Sequence, residues 1–363
     1  MSYKCEILAD SINQQGHRLT TFKVTYPRII HAEMLRHRML SRNVASSRAI
    51  PFKKMVKDVQ ENPFIPIAWQ FSHKGMQGTE YVTEESDFGG ITARNESWLS
   101  AKDCAIQQAE DLNSMDTTKQ LCNRLLEPFM WTTELISGTE WENFFELRCP
   151  KYHYDLEDKY FRSKKDWLEY YKKTCIGDVN SDFTLKEEDW FNINKSQAEI
   201  HIQKIAEMMW DAYNESKPKQ LDAGEWHIPN LGHEWDKEQL ISIAHTNLTK
   251  YNKEYSPTSN EIQVEVDSVM IKIATAHCAK ISYDNFGTKV DYGADIKLHD
   301  RLLGSKHLSP FEHCAKAMNE EEYESFYKGE GVNKEHTGLD ENKGWVNNYR
   351  GFIQYRYLVE NKL

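Results

Sequence analysis

One stretch constrains this chain more than any other. Arg36-His37-Arg38-Met39-Leu40-Ser41-Arg42-Asn43-Val44-Ala45-Ser46-Ser47-Arg48 packs four arginines, a histidine and three serines into thirteen residues. Arg forks match phosphate oxygens in bidentate fashion, so the fold around this stretch is expected to present it to an anion. On a helix, Arg38 and Arg42 would share a face one turn apart with Ser41 between them. Beyond Asn43, small hydroxyl residues of the kind that cap helices predict a turn whose backbone N–H groups face anions, which makes Ser46 and Arg48 a second anion site. The plain alternative is a solvated basic helix face.

The elements around the stretch predict a mixed α/β fold of the α+β kind. Strands are expected at Cys5 to Ala9 and Thr20 to Tyr26, the second alternating like a half-buried strand. Helices are expected near Arg28 to Leu40, Ser97 to Leu126, Ser196 to Tyr213 and Val264 to Lys280. In the third helix Ile200, Ile202, Ile205, Met208 and Met209 form one apolar stripe, which reads as core. Ser72 to Ser97 is Gly-rich and reads as a loop beside the site, Lys217 to Asp236 reads as irregular, and a helical pattern runs around Leu240 to Leu248.

At 363 residues and a formal charge of −11, the chain can bury a large core but does not have the charge of a general nucleic-acid binder. Its basic residues concentrate between Arg28 and Lys54, which suits a small anionic substrate steered into a cleft. The seven cysteines show no Cys-x-x-Cys spacing, so reduced thiols in a cytosolic protein, mostly small buried hydrophobes, are expected, with no metal site. No apolar run approaches a membrane span and the first residues do not read as a signal, so the expected location is cytoplasmic, with no membrane partner.

Arg-His-Arg, seven residues, Ser, one residue, Arg is the signature of the flavin-dependent thymidylate synthases, and Arg36, His37, Arg38, Ser46 and Arg48 fill its fixed positions. Asn123 to Pro128, Glu142 to Arg148 and Gln197-Ala198-Glu199-Ile200 resemble later segments of that family. Ala279 to Tyr283, His299 to Leu303 and His307-Leu308-Ser309-Pro310-Phe311-Glu312-His313 resemble the element that compact relatives carry before the signature. The chain therefore resembles a long, circularly permuted member, with 262–363 matching the N-terminal part of compact relatives, 149–195 as an insertion, and 1–363 as one catalytic domain with the family's sheet and flanking long helices. Permutation predicts that His307 and Ser309 sit near His37 or a symmetry-related copy. The aromatics of the insertion are expected to form a small core of their own.

The resemblance implies reductive methylation of dUMP to dTMP, with FAD as cofactor and NADPH and methylenetetrahydrofolate as co-substrates, in a homotetramer whose sites lie between subunits. It places Ser46, Arg48 and Arg124 on the substrate phosphate, with Glu33 beside them. Arg148 would be the catalytic cation at the uracil carbonyl edge. Arg36, His37, Arg38, Asn43, Asn143, Ser282, His307, Ser309 and Glu312 would surround the flavin. The partners implied are a small-molecule nucleotide and folate, with no nucleic acid.

The chain departs from the family at several positions. Glu33 replaces a common Gln, Val44 replaces a common Glu and cannot bond a sugar hydroxyl, and Ser137 to Thr139 lack an expected Asn and Arg. These leave the nucleotide base open, with dCMP methylation or hydroxymethylation as one alternative. A noncatalytic nucleotide- or nucleic-acid-binding protein using Arg28 to Lys54 is another.

Overall fold

In the computed structural model, which describes residues 2–74, 80–229, 234–283, 291–327 and 342–362, helices and sheet are mixed around one principal five-stranded sheet. Strands β1 (Lys4–Ile12) and β2 (Arg18–Pro27) form a hairpin. Its turn is tied by Asn13, whose side chain accepts from His17 N (2.8 Å) and whose carbonyl accepts from Gly16 N (3.0 Å). Gly16 has φ +83°, a conformation that costs any residue with a Cβ. The central β2 pairs with β4 (Trp131–Gly138), which also carries the edge strand β3 (Ser41–Val44). A short parallel strand, Lys219–Gln220, lies outside β1.

Both faces of β2 are covered, which corrects the half-buried expectation: Phe22, Val24 and Tyr26 are buried on one face, Thr21 and Thr25 on the other. The helix Ile200–Glu215 covers the first face with Ile202, Ile205, Ala206 and Met209. Its apolar stripe is core, as its spacing predicts. The C-terminal end of the helix Ser259–Lys280 covers the second, where Cys278 and Ile281 meet Leu8 and Leu135. Full burial of these apolar faces is the main driving term for the layered arrangement.

Other elements shift from their expected bounds. The helix expected from Ser97 to Leu126 starts at Gly90, inside the stretch read as a loop, ends at Ser114 and gives way to Lys119–Cys122 and the 3-10 segment Asn123–Phe129. The break falls at Asp116, at φ +59°, and Pro128 lies within the 3-10 segment, where an α-helix would lose a hydrogen bond. The pattern around Leu240 is the helix Lys237–Thr249. The irregular stretch from Lys217 holds Lys219–Gln220 and the strand Trp226–His227. Cys122, Cys149, Cys278 and Cys314 are buried, Cys5 is half-buried, but Cys104 and Cys175 are exposed and so are not core hydrophobes; all seven are free.

Residues 149–195 leave the body and return to their starting point. Ser196 Oγ donates to Cys149 O (2.9 Å) and Lys195 N to Lys151 O (2.9 Å), closing the base. Within it, the hairpin Tyr152–Tyr154/Lys159–Phe161 and the helices Lys164–Tyr171 and Glu187–Ile193 bury Tyr152, Tyr154, Trp167 and Trp190 together. The aromatics form a local core, as expected.

Candidate functional site

The signature is delivered differently from its sequence reading. β2 ends at Pro27, a 3-10 turn (Arg28–Ile30) follows, and the helix that should reach Leu40 is the single turn His31–Met34. Residues 36–40 are turns and Ser41–Val44 is strand. Arg38 and Arg42 therefore do not share a helix face. The reason is tertiary: β4 offers an open edge, so Ser41 to Val44 pair with Ser137 to Glu134, and Leu40 enters the core. Strand alternation then puts Arg42 and Val44 on one face of the sheet and Ser41 and Asn43 on the other.

His37 and Arg148 meet. Arg148, the last residue of the helix Glu142–Arg148, donates from Nε to His37 Nε2 (2.9 Å). Arg42 donates to the His37 carbonyl (2.8 Å), and Phe144 packs edge-on against the ring at 5.0 Å. Burial, then the Arg148 and Arg42 guanidiniums, pushes His37 down to about 4, so the ring is neutral at neutral pH with its proton on Nδ1. Burial and the nearby Arg36 lower Arg148, while Glu33 opposes them. Glu33 lies within the field of Arg148 but has no bonded partner for its buried Oε2.

A second cluster forms around the turn after β3. Asn123 is fully buried and its amide donates to Ser47 O (2.6 Å) and Ile50 O (3.0 Å), clamping the turn against the segment that carries Arg124. Ser47 Oγ donates to Glu127 (2.5 Å), which lies 3.8 Å from Arg124 and 3.9 Å from Arg28. Ser46 and Arg48 thus lie on a turn fixed to the Arg124 segment. Arg48 is exposed, and the Arg124 side chain is about half exposed (54%). The backbone N–H of Ser46 is occupied: it donates to Ser282 O (3.0 Å).

That bond brings the C-terminal segment to the signature. The 3-10 turns Ile281–Tyr283 and Ser309–Glu312 both pack against β3. Ser309 is half-buried there, and Asn43, on the face toward Cys278 and Ile281, has a buried Nδ2 without a hydrogen bond. His313 is buried and bonds through Nδ1 to Ser137 Oγ (2.7 Å), which bonds Thr21 Oγ1 (2.7 Å). The chain therefore brings His313 next to Thr21, although they are far apart in sequence. His307 is exposed at the end of the helix Tyr292–Gly304, its backbone N–H capping Leu302 O (2.9 Å). Glu312 is held by Arg356 (2.6 Å). Asn143 is exposed in the first turn of its helix, away from Arg148 at the other end. Arg36 and Arg38 are exposed, and among the described residues their side chains make no hydrogen bond or ion pair; the Arg36 backbone N–H donates to Glu33 O (3.3 Å).

Sequence reasoning missed the supporting residues. Nothing in the local sequence gives Asn123, Glu127, Tyr26 or His31 a role, or marks Glu134 beyond its charge. Glu134 stands directly behind the signature: it is fully buried on β4, accepts from Tyr26 OH (2.5 Å), and lies 3.7 Å from Arg42. A charged residue amid Thr-Thr-Glu-Leu-Ile is the one signal that pointed to it.

One cavity of about 230 Å³ lies beside this region, lined by Ala45, Ile50, Met55, Asp58, Met130 and Trp131 among others. No group of three or more His, Cys, Asp or Glu among the described residues is placed to hold a metal ion, and no described helix is long and apolar enough to cross a membrane.

No family model and no curated protein matches the chain. Similar solved structures include the UMP/dUMP methylase PolB from Streptomyces cacaoi bound with 5-Br dUMP, at 14% identity and TM-score 0.33, over 54% of this chain and 66% of that one. The same protein bound with 5-Br UMP gives 15% identity and TM-score 0.38, over 58% of this chain and 88% of that one. The first comparison spans just under two thirds of PolB, and likeness at this level bears on neither substrate nor mechanism.

Proposed function

We propose that this protein is a flavin-dependent enzyme that methylates a pyrimidine nucleotide, with dUMP as substrate and dTMP as product. The observation that carries the reading is the clamped turn: Asn123 fixes Ser46 and Arg48 to the segment bearing Arg124, and Ser282 joins them through the Ser46 N–H. Three segments whose order in the chain differs from that of compact relatives are adjacent in space, which supports circular permutation.

The Ser46 hydroxyl with the Arg48 and Arg124 side chains would hold the phosphate, where charge-assisted bonds are strong. Arg148 would stand at the base. Because its Nε is spent on neutral His37, its terminal nitrogens would be left for a carbonyl oxygen of the base, where a fixed cation would stabilise charge developing as C5 becomes nucleophilic. The donor set fits a flavin in part. Arg36 and Arg38 leave two guanidiniums for its diphosphate, and the orphaned Asn43 amide and Ser309 hydroxyl can serve a ring or ribose edge. Glu312 does not fit, because Arg356 already occupies it. FAD, reduced by NADPH, would supply the hydride that completes a methyl group donated as a one-carbon unit by methylenetetrahydrofolate. Ile29, Leu35, Leu125 and Leu147 are 40%, 49%, 40% and 54% exposed on segments carrying the site arginines, which supports completion of the site by further copies in a homotetramer.

A second reading, dCMP in place of dUMP, is favoured by Glu33. Its buried unpartnered Oε2 within the field of Arg148 offers an acceptor to an exocyclic amino group, and a carbonyl in that place would be repelled. The test is the absorbance spectrum of the purified protein after FAD reconstitution, then anaerobic NADPH oxidation with dUMP, dCMP or neither. Faster flavin reduction with dUMP supports the first reading and with dCMP the second. Failure to retain flavin under any condition sinks both.

A further inference from the structure

We propose that Glu134 is a positioning residue: acting through Arg42, it holds the His37–Arg148 pair in the geometry the site needs. Three strands set this arrangement. In the sheet register Val24 and Val44 lie opposite Glu134, so Tyr26 on β2 and Arg42 on β3 are its diagonal neighbours on the same face. Tyr26 OH donates to Glu134 Oε2 at 2.5 Å and also meets His31 Nδ1 at 2.8 Å. Arg42 lies on the other side, its Nε 3.7 Å from Glu134 Oε1, and its Nη2 donates to His37 O at 2.8 Å. His37 Nε2 then accepts from Arg148 Nε at 2.9 Å.

The chain of contacts runs from a fully buried carboxylate to the half-buried Arg148 guanidinium without a gap wider than that 3.7 Å. The Glu134 Oε1 and Arg42 Nε that face each other across it are both buried and make no hydrogen bond. A buried carboxylate attracts the guanidiniums around it, here Arg42 more strongly than Arg28. Arg42 has a flexible stem, and with its side chain only 11% exposed it has few alternatives. With the attraction in place, Arg42 keeps its fork on the His37 carbonyl and the turn Arg36–Leu40 keeps its shape. Without it, the fork and the ring behind it are released. Burial raises Glu134 to about 7, against the Tyr26 hydrogen bond and the Arg42 and Arg28 guanidiniums, which lower it. The arrangement rests on contacts within the protein, whereas its bearing on nucleotide binding rests on the function proposed above.

The test uses two variants of the full chain. Glu134→Gln keeps the shape and still accepts from Tyr26 but removes the charge. Arg42→Gln removes the link and leaves Glu134. In each, isotope-labelled His37 is followed by NMR for its tautomer and titration, and dUMP affinity is measured over a pH series as a ratio to wild type, so that the nucleotide's own ionisation cancels. Expected are a single Nδ1–H tautomer in wild type, a mixture of tautomers in both variants with the His37 midpoint moving up from about 4, and dUMP affinity falling about fivefold, the scale of one weakened charge-assisted contact. A His37 tautomer unchanged in either folded variant overturns the proposal. If Glu134→Gln does not fold, Glu134→Asp takes its place; in Arg42→Gln the tautomer alone is read, because loss of that cation raises the His37 midpoint in any case. A wild type that ignores both dUMP and dCMP refutes the nucleotide reading while the His37 readout still decides the positioning role.

Discussion

At the scale of single residues, the site depends on how charge is partnered. Arg148 is half-buried at a helix C-terminus, where the backbone carbonyls favour a cation, and its Nε is anchored on a histidine that burial keeps neutral. Replacing it by Gln should leave dUMP affinity within a fewfold, because on the proposed reading the phosphate would be held by Ser46, Arg48 and Arg124. Turnover should fall by about a hundredfold, the size typical of losing one electrostatic stabiliser. Steady-state kinetics separate the two, and a loss confined to KM would remove Arg148 from the chemistry. Other buried polar groups have no bonded partner at all. The free oxygen of Glu33 and the Asn43 amide are the two orphaned atoms among the expected site residues, and a bound ligand is one way to satisfy them.

At the scale of elements, short irregular pieces hold the site while long ones hold the fold. The 3-10 segment Asn123–Phe129 places Arg124 and, through Asn123, the turn after β3. Asn123→Ala removes both bonds to buried carbonyls and should cost about 2–4 kcal/mol of stability, at roughly 1–2 kcal/mol for each unsatisfied group. It should also weaken dUMP binding although Asn123 touches no ligand. Denaturant unfolding and a binding titration read the two effects, and unaltered binding in a destabilised protein would mean the turn needs no clamp. The excursion at 149–195 behaves differently, since it has its own aromatic core and a closed base. Trp167→Ala should destabilise that core by about 3–5 kcal/mol, as large-to-small changes in a core do. Hydrogen exchange should then show local opening in 152–193 with protection of β2 retained; equal loss of protection in β2 would show that the excursion is integral to the main core.

At the scale of the whole molecule, two buried histidines tie distant parts of the chain. His227 bonds Ser11 (2.9 Å) and Thr21 (2.9 Å), and His313 bonds Ser137 (2.7 Å), so the C-terminal segment and the strand at Trp226 are fastened to β1, β2 and β4. Burial holds both down to about 3. A histidine whose folded value is depressed contributes stability above its unfolded value near 6.5, and loses it as pH falls from there toward 3. Between about pH 6 and 4 only the unfolded chain binds these two protons. Stability should therefore fall with acidification by about 1.4 kcal/mol per pH unit for each histidine. Glu134 works in the opposite sense, because its raised value makes its contribution largest at low pH and lost as pH rises toward 7. It offsets roughly one histidine between pH 7 and 4.5. Unfolding midpoints in urea from pH 7 to 4 would measure the slope, and a flat profile would show that the histidines are not buried as neutral groups.

Local sequence determined a good deal of this. The apolar stripe from Ile202 to Met209 fixes a helix and its buried face, the alternation from Thr20 to Tyr26 fixes a strand, and the aromatic density of 149–195 fixes a local core, because each depends on periodicity and composition within one segment. The order of residue types from Arg36 to Arg48 carries the expectation of an anion site. The conformation of that stretch was not legible, because helix and strand are close in energy over so few residues and the open edge of β4 decided between them. The supporting residues were not legible either: Asn123, Glu134 and His313 act only through partners 73 to 176 positions away. Glu312, which the resemblance places beside the flavin, is bonded by Arg356, a partner 44 positions away. Burial and partnering depend on what the rest of the chain brings alongside a residue, and only the tertiary structure supplies that.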